Sequence, residues 1–167
     1  MGYAFATWNL EDFVRESNRI EGIARDPTAA EMNAHVIFIN LTFPMTADLE
    51  AFVAVIAPGH RLRDKHGLDV RVGDHIAPRG GTEIRTALDT IMARVADGAD
   101  LYHPWQAHID YEALHPFTDG NGRSGRALWL WQMQAAPLGF LHQFYYQTLS
   151  GIRTPNKRAH TSAMSGD

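Results

Sequence analysis

The chain contains no cysteine among its 167 residues. This absence excludes disulfide frameworks, thiolate nucleophiles and zinc sites built from cysteine. A chain of this length buries roughly 70% of the surface that its unfolded form exposes, so a hydrophobic core alone is large enough to stabilise it. We therefore expect one domain that needs neither a disulfide nor a structural metal.

Positive charge and long apolar runs are also scarce. The chain has 15 Lys and Arg residues against 19 Asp and Glu residues, which gives a formal net charge of -4. Because nucleic-acid binding depends on Lys and Arg that neutralise phosphates, this balance argues against a nucleic-acid partner. Apolar stretches are broken well short of the ~20 residues that cross a bilayer, and the N-terminus lacks the basic and apolar regions of a signal peptide. The sequence predicts a cytoplasmic protein with no membrane partner.

Turn residues and helix-start signals divide the chain into short helices, because proline or glycine follows the apolar residues of most helical segments. One helix start is ambiguous: Thr28 with Glu31 fits a capping box, and Asp26 before Pro27 fits a simple cap. The pattern predicts helices over residues 10–24, 29–41, 46–56, 82–97 and 104–114, and from about 123 to the break at Pro137.

A short hairpin interrupts this helical pattern. Apolar and polar residues alternate from Leu68 to Ile76 around Gly73-Asp74, which is typical of two antiparallel strands joined by a tight turn. We place this hairpin at residues 68–79 and call it the flap. We expect residues 1–149 to form one mainly α domain, with a last apolar stretch near its end, and residues 150–167 to form a polar C-terminal tail.

The segment His115–Arg126, with the sequence HPFTDGNGRSGR, carries most of the chemical information. Gly120 and Gly122 allow the backbone to approach an anion where a helix begins, and the first N–H groups of a helix attract negative charge. Arg123 and Arg126 are three residues apart on one helix face, where they suit phosphate oxygens. The segment therefore predicts an anion site.

Two further side chains of this segment suit phosphate transfer. Asp119 offers a hard oxygen to Mg²⁺, and His115 is the one group of the loop that can accept a proton near neutral pH. A calcium-binding EF-hand loop is excluded because the acidic residues that it requires after Asp119 and Asn121 are absent. A Walker A loop is excluded because no Gly-Lys-Ser/Thr follows. A plain turn explains Asp-Gly or Asn-Gly alone, but not the whole set.

The segment resembles the motif of the Fic family, which reads His-x-Phe-x-Asp/Glu-Gly-Asn-Gly-Arg-x-x-Arg. The resemblance implies the Fic fold, a single-domain helical bundle with a β-hairpin flap beside the active-site loop. It also implies transfer of AMP from ATP to a Tyr, Thr or Ser hydroxyl of a target protein, with release of pyrophosphate. The motif positions are filled by His115, Phe117, Asp119, Gly120, Asn121, Gly122, Arg123 and Arg126.

The resemblance also assigns roles. It implies that His115 deprotonates the target hydroxyl, that Asp119 holds Mg²⁺ between the α- and β-phosphates, and that Phe117 anchors the loop. Arg123 and Arg126 are expected to neutralise the β- and γ-phosphates. The anion hole is expected at Gly120, Asn121 and Gly122, and the target segment is expected to pair with the flap at Val70, Arg71, Val72 and Gly73.

A second match lies near the N-terminus, where Ser17 to Gly22 resembles the inhibitory motif Ser/Thr-x-x-x-Glu-Gly/Asn of self-inhibited Fic proteins. Ser17 and Glu21 lie one helical turn apart and face one side. The resemblance implies that Glu21 pairs with Arg126 and prevents productive binding of the γ-phosphate. The plainer interpretation of Glu21 is a solvated surface charge, as for most helical glutamates.

Rival functions remain open at this point. Some relatives phosphorylate their targets, but their loop carries Lys where this chain has Gly122. Others transfer UMP or phosphocholine, and nothing in the motif excludes UTP or GTP as the donor. From another class, the protein would be an interaction module that binds a nucleotide without turnover. The sequence also leaves open whether the protein is a homo-oligomer.

Overall fold

The computed structural model of the chain describes residues 9–134. Within this range the chain forms six α-helices and one two-stranded antiparallel hairpin, so the prediction of a mainly helical fold with a small hairpin is confirmed. The elements are α1 (Leu10–Ile20), α2 (Ala29–Ile39), α3 (Thr46–Ile56), β1 (Arg71–Val72), β2 (His75–Ile76), α4 (Thr82–Ala96), α5 (Pro104–Leu114) and α6 (Asn121–Met133).

Several predicted boundaries differ from the observed ones by a few residues. The first helix ends at Ile20 rather than at residue 24, because Gly22 takes a left-handed φ of 76° that no helix continues through. The last helix begins at Asn121, two residues earlier than predicted. The strands of the flap are only two residues each, within the predicted range 68–79. The apolar stretch near residue 149, the tail at 150–167 and the ends of the predicted domain lie outside the described residues.

The ambiguous start of α2 is resolved in favour of the capping box. The Thr28 hydroxyl accepts a hydrogen bond from Glu31 N, and the Glu31 carboxylate accepts one from Thr28 N at 2.7 Å. Arg25 forms an ion pair with Glu31, and this hydrogen bond holds the pKa of Glu31 at about 2. These contacts fix the connection that leads from α1 into α2.

The main core lies between α6 and the helices that surround it. Helix α6 packs against α5, α2, α1 and α3, so the segment that follows the glycine-rich loop is the centre of the bundle. The fully buried side chains of this core include Leu49, Val53, Leu88, Tyr111, Phe117, Ala127 and Leu128.

A smaller core fixes α1 against α6. Phe13 and Trp129 are both buried, and their rings stack with an interplanar angle of 4° and centroids 6.5 Å apart. Burial of an aromatic side chain of this kind stabilises by roughly 1.5–3 kcal/mol. This packing holds the C-terminal end of α1 beside the start of α6, where the candidate site lies. None of the helices within residues 9–134 is long and apolar enough to span a membrane.

Candidate active site

The loop between α5 and α6 is held in shape by its own side chains. His115 ends α5 with left-handed backbone angles, φ 49° and ψ 62°, and its N–H donates to Tyr111 O. The Asn121 side chain accepts from Phe117 N and donates to Phe117 O, both at 2.8 Å. Phe117 is fully buried, which places it as the anchor of the loop. Because the side-chain amide of Asn121 is bonded to the backbone of Phe117, only the backbone N–H of Asn121 is left for an anion.

The start of α6 has no side-chain cap. Gly120, the N-cap, has a φ of 80° and supplies no side-chain hydrogen bond to the first turn of α6. A β-carbon at Gly120 would come 3.1 Å from the β-carbon of Ala57, so the loop packs closely on the end of α3. The first N–H groups of α6 therefore have no side-chain cap, and they lie at the positive end of the helix dipole.

His115 is neutral at physiological pH. The pKa of His115 is lowered to about 4, mainly by burial. The positive charge of Arg63 and the neighbouring His75 act in the same direction, and the Glu112 backbone and the charge of Glu21 oppose them. A neutral imidazole is the form that accepts a proton. Its Nδ1 is buried, so Nε2 is the nitrogen left for a substrate.

Glu112, which the sequence analysis did not single out, lies beside this histidine. Its Oε2 is 3.9 Å from His115 Nδ1, and the side chain is buried. Burial raises the pKa of Glu112 to about 7, opposed by the positive charge of Arg126 and reinforced by the negative charge of Glu21. The signal that was available is spacing, because Glu112 precedes His115 by three residues and therefore shares its helix face.

The two arginines of α6 have different partners. Arg123 Nη1 donates to Ile56 O at 2.6 Å, at the C-terminal end of α3. Arg126 instead contacts α1: Nε donates to Ser17 Oγ at 2.8 Å, and Nη2 donates to Ser17 O at 2.9 Å and to Glu21 Oε1 at 2.6 Å. Each guanidinium is buried against a different helix. That Arg123 and Arg126 neutralise the β- and γ-phosphates of a nucleotide stays a prediction.

Glu21 reaches across the start of α6. Its side chain is 37% exposed, whereas its partner Arg126 is buried. Its carboxylate lies so close to the α-carbon of Gly122 that a β-carbon there would come 2.1 Å from Oε1. The structure thus brings Glu21, Arg126 and Gly122 together at one point, so a carboxylate lies beside the first turn of α6.

Asp119 is the exposed carboxylate of the site. Its side chain is 60% exposed, Oδ1 accepts a hydrogen bond from Gly120 N, and Oδ2 is 3.8 Å from His60 Nε2. Among residues 9–134 there is no group of three His, Asp or Glu side chains that could hold a resident metal ion. One exposed carboxylate fits Mg²⁺ that arrives with a nucleotide, because such an ion takes one or two carboxylates and completes its shell with phosphates and water.

The flap lies next to α5. Strands β1 and β2 pair Arg71 with Ile76 and Val72 with His75, and Gly73 forms the turn with a φ of 58°. Val72 and Ile76 are exposed, Ile76 by 74%, so the apolar side chains of the strands lie on the surface and do not form a core within the hairpin. His75 Nε2 lies 3.0 Å from Ala113 O, one contact between the flap and α5.

A sequence model of the Fic/DOC family matches residues 45–133, which is more than half of the chain. The chain belongs to the Fic/DOC family. The matched stretch contains the flap, His115 and both arginines of α6, whereas Ser17 on α1 and Glu21 directly after it lie outside the stretch. No solved structure matches the chain significantly. Membership of this family indicates transfer of a nucleotidyl or phosphate group onto proteins.

Proposed function

We propose that the protein is an adenylyltransferase that transfers AMP from ATP to a Tyr, Thr or Ser hydroxyl of a target protein. The observation that carries this proposal is the neutral, buried His115 five residues before Gly120, the N-cap of a helix that has no side-chain cap. The chemistry needs a base for the hydroxyl and fixed donors for the charge that develops on phosphate oxygens. Both are supplied by the loop between α5 and α6.

The proposed reaction uses this arrangement. The target hydroxyl gives its proton to His115 Nε2, and its oxygen forms a bond to the α-phosphorus. The bond between the α-phosphorus and the bridging oxygen breaks in line, and pyrophosphate leaves. Backbone N–H groups at Asn121 and Gly122 receive the phosphate oxygens, where one preorganised donor contributes ~3–4 kcal/mol to transition-state stabilisation.

The proposal includes Mg²⁺ that enters with the nucleotide. Asp119 is the residue that would hold it, because its Oδ2 accepts no hydrogen bond from the described residues and its side chain is exposed. When bound, the ion would neutralise phosphate charge. The remaining positive charge comes from Arg126 once it is released from α1.

The proposal also includes self-inhibition by α1. Glu21 excludes a phosphate in two ways, since its carboxylate fills the space over Gly122 and its charge occupies Arg126. An added anion at the same point would meet both a steric clash and repulsion between like charges. We therefore expect the chain to be nearly inactive as long as this contact persists. A bias of about 3 kcal/mol toward the closed state lowers the rate roughly a hundredfold.

The test uses Mg²⁺ and ATP labelled at the α- or the γ-phosphorus, incubated in a host-type lysate. We expect protein-bound α-label with Glu21→Gly and little with the unchanged chain. His115→Ala in the Glu21→Gly background should abolish it. Glu11→Gly is the control, because it makes the same change at an exposed glutamate of α1, the helix that leads into Glu21.

Each other outcome has a defined meaning. Protein-bound γ-label would identify a kinase and contradict adenylylation. Label only from UTP or GTP would keep the chemistry and change the donor. Equal activity of Glu21→Gly and the unchanged chain would contradict self-inhibition. No label from any donor would favour a binding module.

A further inference from the structure

Arg63 lies between α3 and β1 and is fully buried, with a relative exposure of 0%. Its guanidinium donates four hydrogen bonds, and all four acceptors are backbone carbonyls rather than carboxylates. The contacts are Nε to His115 O at 2.7 Å, Nη2 to Leu114 O at 2.9 Å, Nη1 to Pro78 O at 2.8 Å and Nη1 to Leu68 O at 3.0 Å.

Two of these carbonyls belong to the end of α5. The last carbonyls of a helix lack partners within the helix and lie at the negative end of its dipole, so a cation is stabilised there. The backbone N–H of Arg63 also donates to Pro116 O at 2.8 Å. Arg63 therefore holds the chain on both sides of the His115 α-carbon, whose left-handed backbone conformation is unfavourable for a non-glycine residue.

The other two carbonyls are at the base of the flap. Leu68 precedes β1 and Pro78 follows β2, so one nitrogen of Arg63 bonds both ends of the flap. The Asp69 carboxylate accepts from Gly80 N at 2.8 Å and closes the same base. A β-carbon at Gly80 would come 2.7 Å from Lys65 O and 2.8 Å from Leu68 O, which shows how tightly the two ends approach.

We propose that Arg63 is a positioning residue that fixes the flap relative to His115, so that a hydroxyl carried by a segment on the flap meets the base. This inference rests on the proposed function for its meaning in catalysis. Arg63 touches neither the start of α6 nor the exposed Asp119 in the described contacts. It acts through the backbone of His115 and through the base of the flap.

Arginine suits this position better than lysine does. Its planar fork presents donors in several fixed directions, which is how one side chain reaches carbonyls of α5 and of the flap together. A lysine would keep the positive charge at the end of α5 but place its donors at one atom. Arg63→Lys therefore separates the charge from the geometry.

The first test compares Arg63→Lys with Arg61→Lys, both in the Glu21→Gly background. Arg61 is exposed and only two residues away, so its variant is the matched control. We expect Arg63→Lys to lower the rate of AMP transfer at least 30-fold, while the Kd for ATP with Mg²⁺ stays within twofold. Arg61→Lys should change neither.

The second test needs no activity. The absence of cysteine allows spin labels at Ile76→Cys on β2 and Ala93→Cys on α4, both exposed positions. We expect Arg63→Lys to broaden the distribution of distances between the two labels, and Arg61→Lys to leave it narrow. Gly80→Ala, which forces the flap base apart while keeping Arg63, should reproduce the broadening and serves if Arg63→Lys does not fold.

Three results would overturn the proposal. Transfer within threefold of the parent by Arg63→Lys would contradict it, as would an unchanged distance distribution. A loss of ATP affinity in proportion to the loss of transfer would mean a general structural role instead. If the Glu21→Gly parent itself transfers no AMP, the proposed function fails, whereas the distance measurement still decides whether Arg63 fixes the flap.

Discussion

The carboxylate of Glu21 occupies the space that any side chain at Gly122 would need, because a β-carbon at Gly122 would lie 2.1 Å from Glu21 Oε1. Gly122 has an ordinary helical backbone in α6, so its lack of a side chain serves the close approach and not the turn. This contact makes the stability effect of one substitution depend on another residue roughly 100 positions away in the sequence.

Gly122→Ala should have opposite effects on stability in two backgrounds. In the unchanged chain the new methyl group collides with Glu21, and overpacking of this kind costs about 1–3 kcal/mol. In the Glu21→Gly background the collision with Glu21 is gone, and the nearest remaining atom is Nη1 at the flexible end of Arg126, 3.0 Å away. Ala in a helix is then favoured over Gly by ~0.5–1 kcal/mol. Urea unfolding of the four proteins measures both signs. The control is Gly98→Ala, because no atom lies within 4 Å of the new β-carbon there. If Gly122→Ala changes the free energy of unfolding equally in both backgrounds, Glu21 is not docked beside Gly122.

Ser17→Ala should release α1 in part. The Ser17 hydroxyl is buried and accepts from Arg126 Nε at 2.8 Å, so its removal leaves a buried charged donor without that acceptor. Such a loss costs ~1–3 kcal/mol, which destabilises the docked state of α1. We expect AMP transfer to rise between about fivefold and a hundredfold, yet to stay below that of Glu21→Gly. Thr90→Ala, an exposed helical hydroxyl on α4, should leave the rate unchanged. A Ser17→Ala rate equal to that of the unchanged chain would show that Arg126 does not depend on this hydroxyl.

The transfer rate should remain constant to unusually low pH. Burial holds the pKa of His115 at about 4, and the negative charge of Glu21 raises it, so Glu21→Gly leaves the imidazole even harder to protonate. We expect the kcat/KM of Glu21→Gly to stay level from pH 8 to about pH 5.5. An ordinary histidine would lose half of its basic form near pH 6.5. A midpoint near that value would contradict the burial of His115 in the active form.

Folding stability should fall as the pH is lowered from about 6.5 toward 4. Burial first of all lowers the pKa of His35 to about 4, of His108 to about 3 and of His115 to about 4. Between about pH 6.5 and pH 4, the three histidines bind protons in the unfolded chain but stay neutral in the folded chain. Lowering the pH therefore favours unfolding. Glu112 acts in the opposite direction, because its raised pKa of about 7 lets the folded chain hold one proton that the unfolded chain lacks.

The net difference of about two protons corresponds to a loss of up to about 3 kcal/mol per pH unit near pH 5.5. Denaturant unfolding at a series of pH values measures this slope. Glu112→Gln removes the opposing proton, so its slope should be steeper by about one proton. A slope that is flat down to pH 4.5 would show that the three histidines are solvated.

Local patterns predicted the elements of this fold well. The apolar periods with their proline and glycine stops located all six described helices, and alternation around Gly73 located the hairpin. The errors are in the positions of helix ends, such as Ile20, where the left-handed backbone of Gly22 stops the helix. Ends are set by one or two backbone angles, to which a periodic pattern is insensitive.

The candidate site was only partly predictable. The loop from His115 to Arg126 is visible because its residues are contiguous, but their partners are distant in the sequence. Arg123 bonds a carbonyl 67 residues away, and Arg63 bonds one 52 residues away. Such contacts depend on how helices pack, and no local pattern distinguishes Arg63 from an ordinary surface arginine. The Asn121 side chain bonds Phe117, which is only four residues away, and the sequence analysis assigned it no such contact.

The order of the two partners along the chain has a consequence for synthesis. Glu21 precedes Arg126 by 105 residues. At ~5–20 residues per second, the ribosome completes α1 about 5–20 seconds before it reaches the arginine. Any nascent chain long enough to form the glycine-rich loop therefore already carries the carboxylate that contacts it. No stage of translation presents the loop to the cell without α1.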